Sequence, residues 1–213
     1  MEDWDYAVVV NRYISPFQLK NKIWPPDNEI HIIYADKVPV CAVLKRKSKD
    51  DLNGYNAMKE GRTADAIKYF KTALQADDRD EMIYYNYATA LYTGGLNQKA
   101  DSMLKKSLEI RPDFELALMY LGNIARSQNK TDEAIGFYEK VIKADRKYFE
   151  AYIGLAELLE DKDLIKARDL LRNCLKMNPG YLPAIKALAD TYRKSDPEIA
   201  RKYDDLAKSI EPR

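Results

Sequence analysis

The chain has 213 residues, 46% of them hydrophobic and 32% charged, and its Lys+Arg 35 against Asp+Glu 34 leaves a formal net charge of +1. A balance this close to neutral offers no field to gather a polyanion, so nucleic acid and anionic membrane surfaces are not expected as partners. Cys41, Cys174 and His31 are the only residues of their types, too few for a zinc site, which takes about three or four Cys/His ligands, and neither metal nor cofactor is expected.

No apolar run approaches the roughly 20 residues that cross a bilayer, and no charged start followed by an apolar stretch marks a signal peptide. The chain therefore reads as soluble, with no direct membrane insertion of its own.

From the N terminus, Asp5 to Val10 carries Tyr6, Val8, Val9 and Val10, and Glu29 to Tyr34 carries Ile30, Ile32 and Ile33. Such β-branched and aromatic runs predict strands. Between them, Ser15-Pro16 supplies a cap and a first helical residue for a short helix reaching Leu19. Trp24-Pro25-Pro26 then forces an extended segment. A turn at Ala35-Asp36-Lys37 leads into a third strand, Val38 to Leu44. Residues 1–46 thus read as a small α/β segment of order β-α-β-β, near the size at which a lone core is marginal. It is expected to be a fragment of a larger domain, or to lean on the repeat that follows or on another copy. Lys45 to Asp51 reads as a charged linker, with Asp50 capping the next helix.

From Met82 to Pro112 the pattern becomes a helical hairpin. Tyr84, Tyr87, Ala88 and Leu91 share one helical stripe, Gly94-Gly95 breaks the helix, and Ala100, Leu104, Ser107 and Leu108 form a second stripe. This unit recurs. The alanine of the second helix appears as Ala66, Ala100, Ala134, Ala167 and Ala200, at steps of 34, 34, 33 and 33 residues, the period of a two-helix repeat. Phe70, Leu104, Tyr138 and Leu171 follow it in four copies, while the fifth has Asp204. Gly54, Ala88, Gly122, Ala156 and Ala189 repeat the small residue of the first helix. Five repeats are expected, at 47–80, 81–114, 115–148, 149–181 and 182–213. Their internal loops are short, from Lys59 to Ala64 in the first to Lys194 to Pro197 in the last, so neighbouring helices run antiparallel and stack into a superhelix with a concave face.

From roughly Ser48 to Arg213 the chain resembles the tetratricopeptide repeat (TPR) family, with Leu121-Gly122, Ala134 and Tyr138 following the family pattern closely. The resemblance implies a mainly α fold, a tandem helix-turn-helix superhelix, whose first helices line the concave surface with residues off the packing stripe. These are Tyr55 and Met58 in the first repeat, Met82, Tyr85, Thr89 and Tyr92 in the second, and Leu116, Met119, Asn123 and Arg126 in the third. The fourth brings Glu157 and Glu160, the fifth Lys186, Asp190 and Arg193. Tyrosine offers rigid contact area and methionine an adaptable one, as a peptide-binding groove requires. Asn123 has a donor and an acceptor for a bound backbone, and Arg126 can meet a carboxylate. The competing readings are ordinary packing for the tyrosines and methionines, an ion pair for Arg126, and a solvated face for Glu157 and Glu160. Some family members clamp a chaperone's terminal carboxylate, but the corresponding faces here offer Asp51, Tyr55, Asn86, Leu116 and Tyr120, without the basic residues.

The function implied is a non-enzymatic scaffold for protein-protein interaction. No nucleophile-base pair or phosphate-cradling glycine loop is present. The stretches Arg12 to Leu19, Trp24-Pro25-Pro26 and Val38 to Arg46 are similar to the end of the soluble domain of bacterial membrane glycosyltransferases of the protein-mannosyltransferase type. That similarity implies the alternative of a regulatory or positioning region of such an enzyme, extracytoplasmic (periplasmic) in location; otherwise the chain is expected in the cytoplasm. Ile199, Tyr203, Leu206 and Ile210 share one side of the last helix, which leaves self-association open. Cys174 falls at a small-residue place of a second helix and is expected to be a buried, inert thiol.

Overall fold

A computed structural model describes the backbone of residues 6–10, 28–35 and 38–46, and residues 49–211 with their side chains. Three strands, β1 (Tyr6–Val10), β2 (Asn28–Ala35) and β3 (Val38–Arg46), form an antiparallel sheet in the order β1-β3-β2. Val8 lies opposite Val43 on one side of β3, and His31 opposite the same residue on the other. The register shifts between Ile33 and Tyr34. The helix expected from Ser15 to Leu19, the Trp24-Pro25-Pro26 segment and the turn at Asp36-Lys37 lie outside the described residues.

Ten helices follow among the described residues. They are α1 (Lys49–Lys59), α2 (Thr63–Ala76), α3 (Glu81–Thr93), α4 (Asn97–Ile110), α5 (Glu115–Ser127), α6 (Thr131–Ala144), α7 (Phe149–Leu159), α8 (Leu164–Met177), α9 (Leu182–Tyr192) and α10 (Pro197–Ile210). The linker expected over Lys45 to Asp51 is shorter than its charges suggested. β3 runs through Arg46 and α1 opens at Lys49, so Asp50 and Asp51 sit in the first helical turn, where carboxylates oppose the helix dipole. Asp50 is not the cap.

The chain divides into two compact units, residues 1–100 and 101–213, with the division inside α4. In the first unit α2 packs against both α1 and α3, around Ala57, Ala66, Phe70, Ala73, Ile83 and Ala90. In the second, each of α6 to α10 packs on the helix before it, and the largest core cluster runs from Ala125 through Tyr138, Leu155, Leu171 and Leu188 to Ala200.

The five periodic alanines are all buried, as are Phe70, Leu104, Tyr138 and Leu171. The small residue of each first helix varies with the residue at the matching place of the second. Where the second helix brings an aromatic ring the first has glycine: a Cβ on Gly54 would stand 2.6 Å from the Phe70 ring, and one on Gly122 would stand 2.7 Å from that of Tyr138. Where it brings Leu104, Leu171 or Asp204, the first helix has Ala88, Ala156 or Ala189. Close packing conserves the volume of the pair.

The hairpin turns come in two kinds, and these explain the two step lengths. In the first three repeats the turn places Gly61, Gly95 and Asn129 at φ of 73, 77 and 59°, the left-handed region open to glycine and asparagine. The helices that follow Gly61 and Asn129 have no side-chain cap. In the last two repeats the small residue of the first helix and the alanine of the second stand 11 residues apart (Ala156 to Ala167, Ala189 to Ala200) and not 12, giving the steps of 33. There an aspartate takes over: Asp163 accepts from the Lys166 N–H at 3.0 Å and Asp196 from the Ile199 N–H at 3.1 Å, side-chain capping of the orphan donors at a helix start.

Candidate functional site

In the first unit the candidate residues lie on α1 and α3, which touch each other. α3 begins cleanly because the Asp80 carboxylate accepts from the N–H groups of Met82 and Ile83 at 2.9 and 3.2 Å. Tyr55 is 47% exposed and Tyr92 37%, and the Lys59 ammonium sits 4.7 Å from the centre of the Tyr55 ring. Met82, Tyr85 and Thr89 are half-buried. The Thr89 hydroxyl donates to the Tyr85 carbonyl at 2.9 Å. Burial pushes the Tyr85 phenol up, with a hydrogen bond to Thr89 opposing it. Met58 packs against the core around Phe70. Tyr55 and Tyr92 are thus the two exposed tyrosines on this face.

In the second unit the face of α5 is more polar than its sequence suggested. Met119 packs against the core clusters around Tyr138 and around Leu118. Asn123 is exposed, but its Oδ1 accepts a hydrogen bond from the Tyr138 hydroxyl at 2.7 Å, so one half of the amide expected to hold a ligand is already engaged. Arg126 pairs with Glu157 on α7 at 2.6 Å, the ion pair that competed with a carboxylate-binding role. Burial pushes the Tyr138 phenol up, against the opposing charge and hydrogen bond of Arg126. Further along, Lys186 meets Glu211 at 2.6 Å and Arg193 meets Asp190 at 2.7 Å, while Glu160 is exposed.

Sequence reasoning named Asn123 and Arg126 and missed Tyr138 as their neighbour. The available signal was a hydroxyl at a place where three other copies, Phe70, Leu104 and Leu171, are purely apolar.

Elsewhere, Cys174 is fully buried, and its thiol is pushed up to about 11 by burial and then by the charge of Glu150. On α10, Leu206 and Ile210 are exposed, while Ile199 and Tyr203 pack against the core. Tyr203 stacks on Tyr192 with ring centres 6.2 Å apart, so the apolar side expected to lie open is half covered from within. Among the described residues no helix is long and apolar enough to cross a membrane, and no group of three or more His, Cys, Asp or Glu is arranged to hold a metal ion.

Two family models described as tetratricopeptide repeat match residues 57–124 and 117–163, together about half of the chain. Among curated proteins the chain is 28% identical over 128 residues to DnaJ homolog subfamily C member 3 of Bos taurus, covering 60% of this chain and 25% of that protein. It is 25% identical over 122 residues to protein O-mannosyl-transferase Tmtc3 of Drosophila melanogaster, covering 56% of this chain and 13% of that protein. The chain thus spans a quarter or less of these two relatives. Among solved structures it is similar to MamA, with a TM-score of 0.64 at 22% identity over 76% of this chain and 90% of that one. It is also similar to YrrB, described as a TPR protein with an unusual peptide-binding site, with a TM-score of 0.59 at 19% identity over 75% of this chain and 83% of that one. At these identities the two structures speak for the fold alone. With the period of 34 and 33 residues, the buried alanines and the family models in agreement, the chain belongs to the tetratricopeptide repeat family.

Proposed function

We propose that the chain is a non-enzymatic scaffold that binds a protein or peptide segment on its first-helix faces, within an array of five repeats over residues 47–213. The observation that carries this reading is the pair of exposed tyrosines, Tyr55 and Tyr92, on the touching helices α1 and α3. Exposed aromatic area of this kind is costly to leave wet and suits a contact surface. The YrrB likeness is compatible with it, since that TPR protein is described as binding a peptide. In the second unit most of the charges on the corresponding helices are already paired with one another, so affinity comes from aromatic anchors and depends weakly on salt. The test is a pull-down with the wild-type chain against Tyr55→Ala plus Tyr92→Ala, whose exposed side chains can be removed without opening the core. Partners should be lost, and binding unchanged by the pair overturns the reading.

A second reading places the chain as the soluble regulatory or positioning region of a membrane-bound glycosyltransferase. The likeness to Tmtc3 and the resemblance of residues 1–46 favour it. The full reading frame decides: repeated apolar spans of about 20 residues upstream of Met1 support it, and their absence removes it.

A further inference from the structure

The Tyr138 ring is fully buried and wedged between two glycines. A Cβ on Gly122 would come within 2.7 Å of one edge of the ring and a Cβ on Gly154 within 2.9 Å of the other. A ring held this tightly delivers its hydroxyl to one place, and that place is Asn123 Oδ1 at 2.7 Å. A phenol can donate or accept. Asn123 turns its Oδ1 toward the hydroxyl, and an amide oxygen can only accept, so here the phenol donates. The amide thus has its carbonyl toward Tyr138 and both N–H bonds on the opposite edge of an exposed side chain. Arg126 is held by Glu157 at 2.6 Å.

We propose that Tyr138 is a positioning residue that turns Asn123 into a one-way hydrogen-bond donor, and that this edge of α5 takes a main-chain carbonyl of an extended peptide segment, not a carboxylate. An incoming carboxylate would have to displace Glu157 from Arg126 and lie beside its charge, whereas a neutral carbonyl needs neither. Without the Tyr138 hydroxyl the amide is free to turn over and offers donor and acceptor indifferently. The proposal rests on the scaffold reading and adds the chemistry of one contact.

The test uses the full chain and a probe peptide selected on it from a library of octapeptides with acetylated and amidated ends. Tyr138→Phe should keep the melting temperature near wild type, since Phe70 fills the same place beside a glycine in the first repeat. It should weaken the probe by about 3- to 10-fold, the worth of one hydrogen bond. Replacing probe amides one at a time by esters, which are poorer acceptors, should cost a similar factor at one position in wild type and nothing in Asn123→Ala. The side-chain amide of Asn123 should lose order in Tyr138→Phe by nitrogen relaxation. A probe that requires Tyr55 and Tyr92 yet binds Tyr138→Phe as tightly as wild type overturns this inference and leaves the scaffold reading standing. Failure to select any peptide, or a peptide indifferent to all these residues, overturns both. Should Tyr138→Phe not fold, Asn123→Asp replaces the donor by an acceptor in the same shape: lost binding is expected, and retained affinity overturns the inference.

Discussion

Arg193, at the C-terminal cap of α9, grips Asp204 on α10 with both terminal guanidinium nitrogens, at 3.0 and 3.2 Å, while its Nε holds Asp190 at 2.7 Å. Asp204 stands where the four earlier repeats bury a large apolar side chain, so at this end of the array an ion pair replaces packing. Both partners keep substantial exposure, and such pairs contribute at most about 1 kcal/mol. A double-mutant cycle of Arg193→Ala and Asp204→Ala in urea unfolding should give a coupling of about 0.5–1 kcal/mol that shrinks in 1 M salt. A coupling insensitive to salt would mean that the two residues act through packing.

The glycine and aromatic pairing makes a compensation testable. Gly122→Ala should destabilise by about 1–3 kcal/mol through overpacking against the Tyr138 ring. Adding Tyr138→Leu, which recreates the alanine and leucine combination of the second and fourth repeats, should recover part of that loss. Gly136→Ala on α6, where an added Cβ meets nothing within 4 Å, should instead stabilise by about 0.5–1 kcal/mol. Thermal unfolding of the three variants separates steric conflict from helix propensity.

Alkaline pH should weaken the second unit in a defined window. The Cys174 thiol, ordinarily at 9.0, is pushed to about 11 by burial and then by Glu150. The Tyr181 phenol, ordinarily at 10.0, is pushed to about 12 by burial and then by its hydrogen bond to Glu150 at 3.1 Å. Both groups are neutral when protonated, and the folded chain holds these protons more tightly than the unfolded one. Their contribution is therefore complete below about pH 9 and is lost as pH rises through 11 and 12. The melting temperature should stay level from pH 7 to 9 and fall above it, and Cys174→Ala should remove the earlier part of the fall. A fall of the same size and onset in Cys174→Ala would assign the loss to other groups.

The two kinds of turn should respond to opposite substitutions. Asp163→Ala and Asp196→Ala should each cost about 1 kcal/mol by removing a helix cap. Asn129→Gly, at a left-handed backbone position, should be close to neutral, and Asn129→Val clearly destabilising. Urea midpoints at constant slope check all four.

The helical part was legible because its signal is periodic. Ala66, Ala100, Ala134, Ala167 and Ala200 announce the repeat by spacing alone, and each is buried. The single-stripe reading of α3 through Tyr84, Tyr87, Ala88 and Leu91 was incomplete, since Ile83 and Ala90 are buried on another side, in the core around Phe70. A first helix in a stack is flanked by two hairpins, and a one-face template sees only one. The link from Tyr138 to Asn123 joins residues 15 apart and depends on where a ring wedged by two glycines points its hydroxyl, a matter of ångströms that no spacing rule carries. Likewise the pairing of Arg126 with Glu157 crosses from one repeat to the next, and charge patterning could offer it only as one reading among others.

The closer spacing across the hairpins that hold Asp163 and Asp196 sets the last two repeats apart. A missing residue and its aspartate remedy are shared by the fourth and fifth repeats and by none of the first three. The last two hairpins are thus a matched pair, alike in spacing and in the carboxylate that starts their second helix.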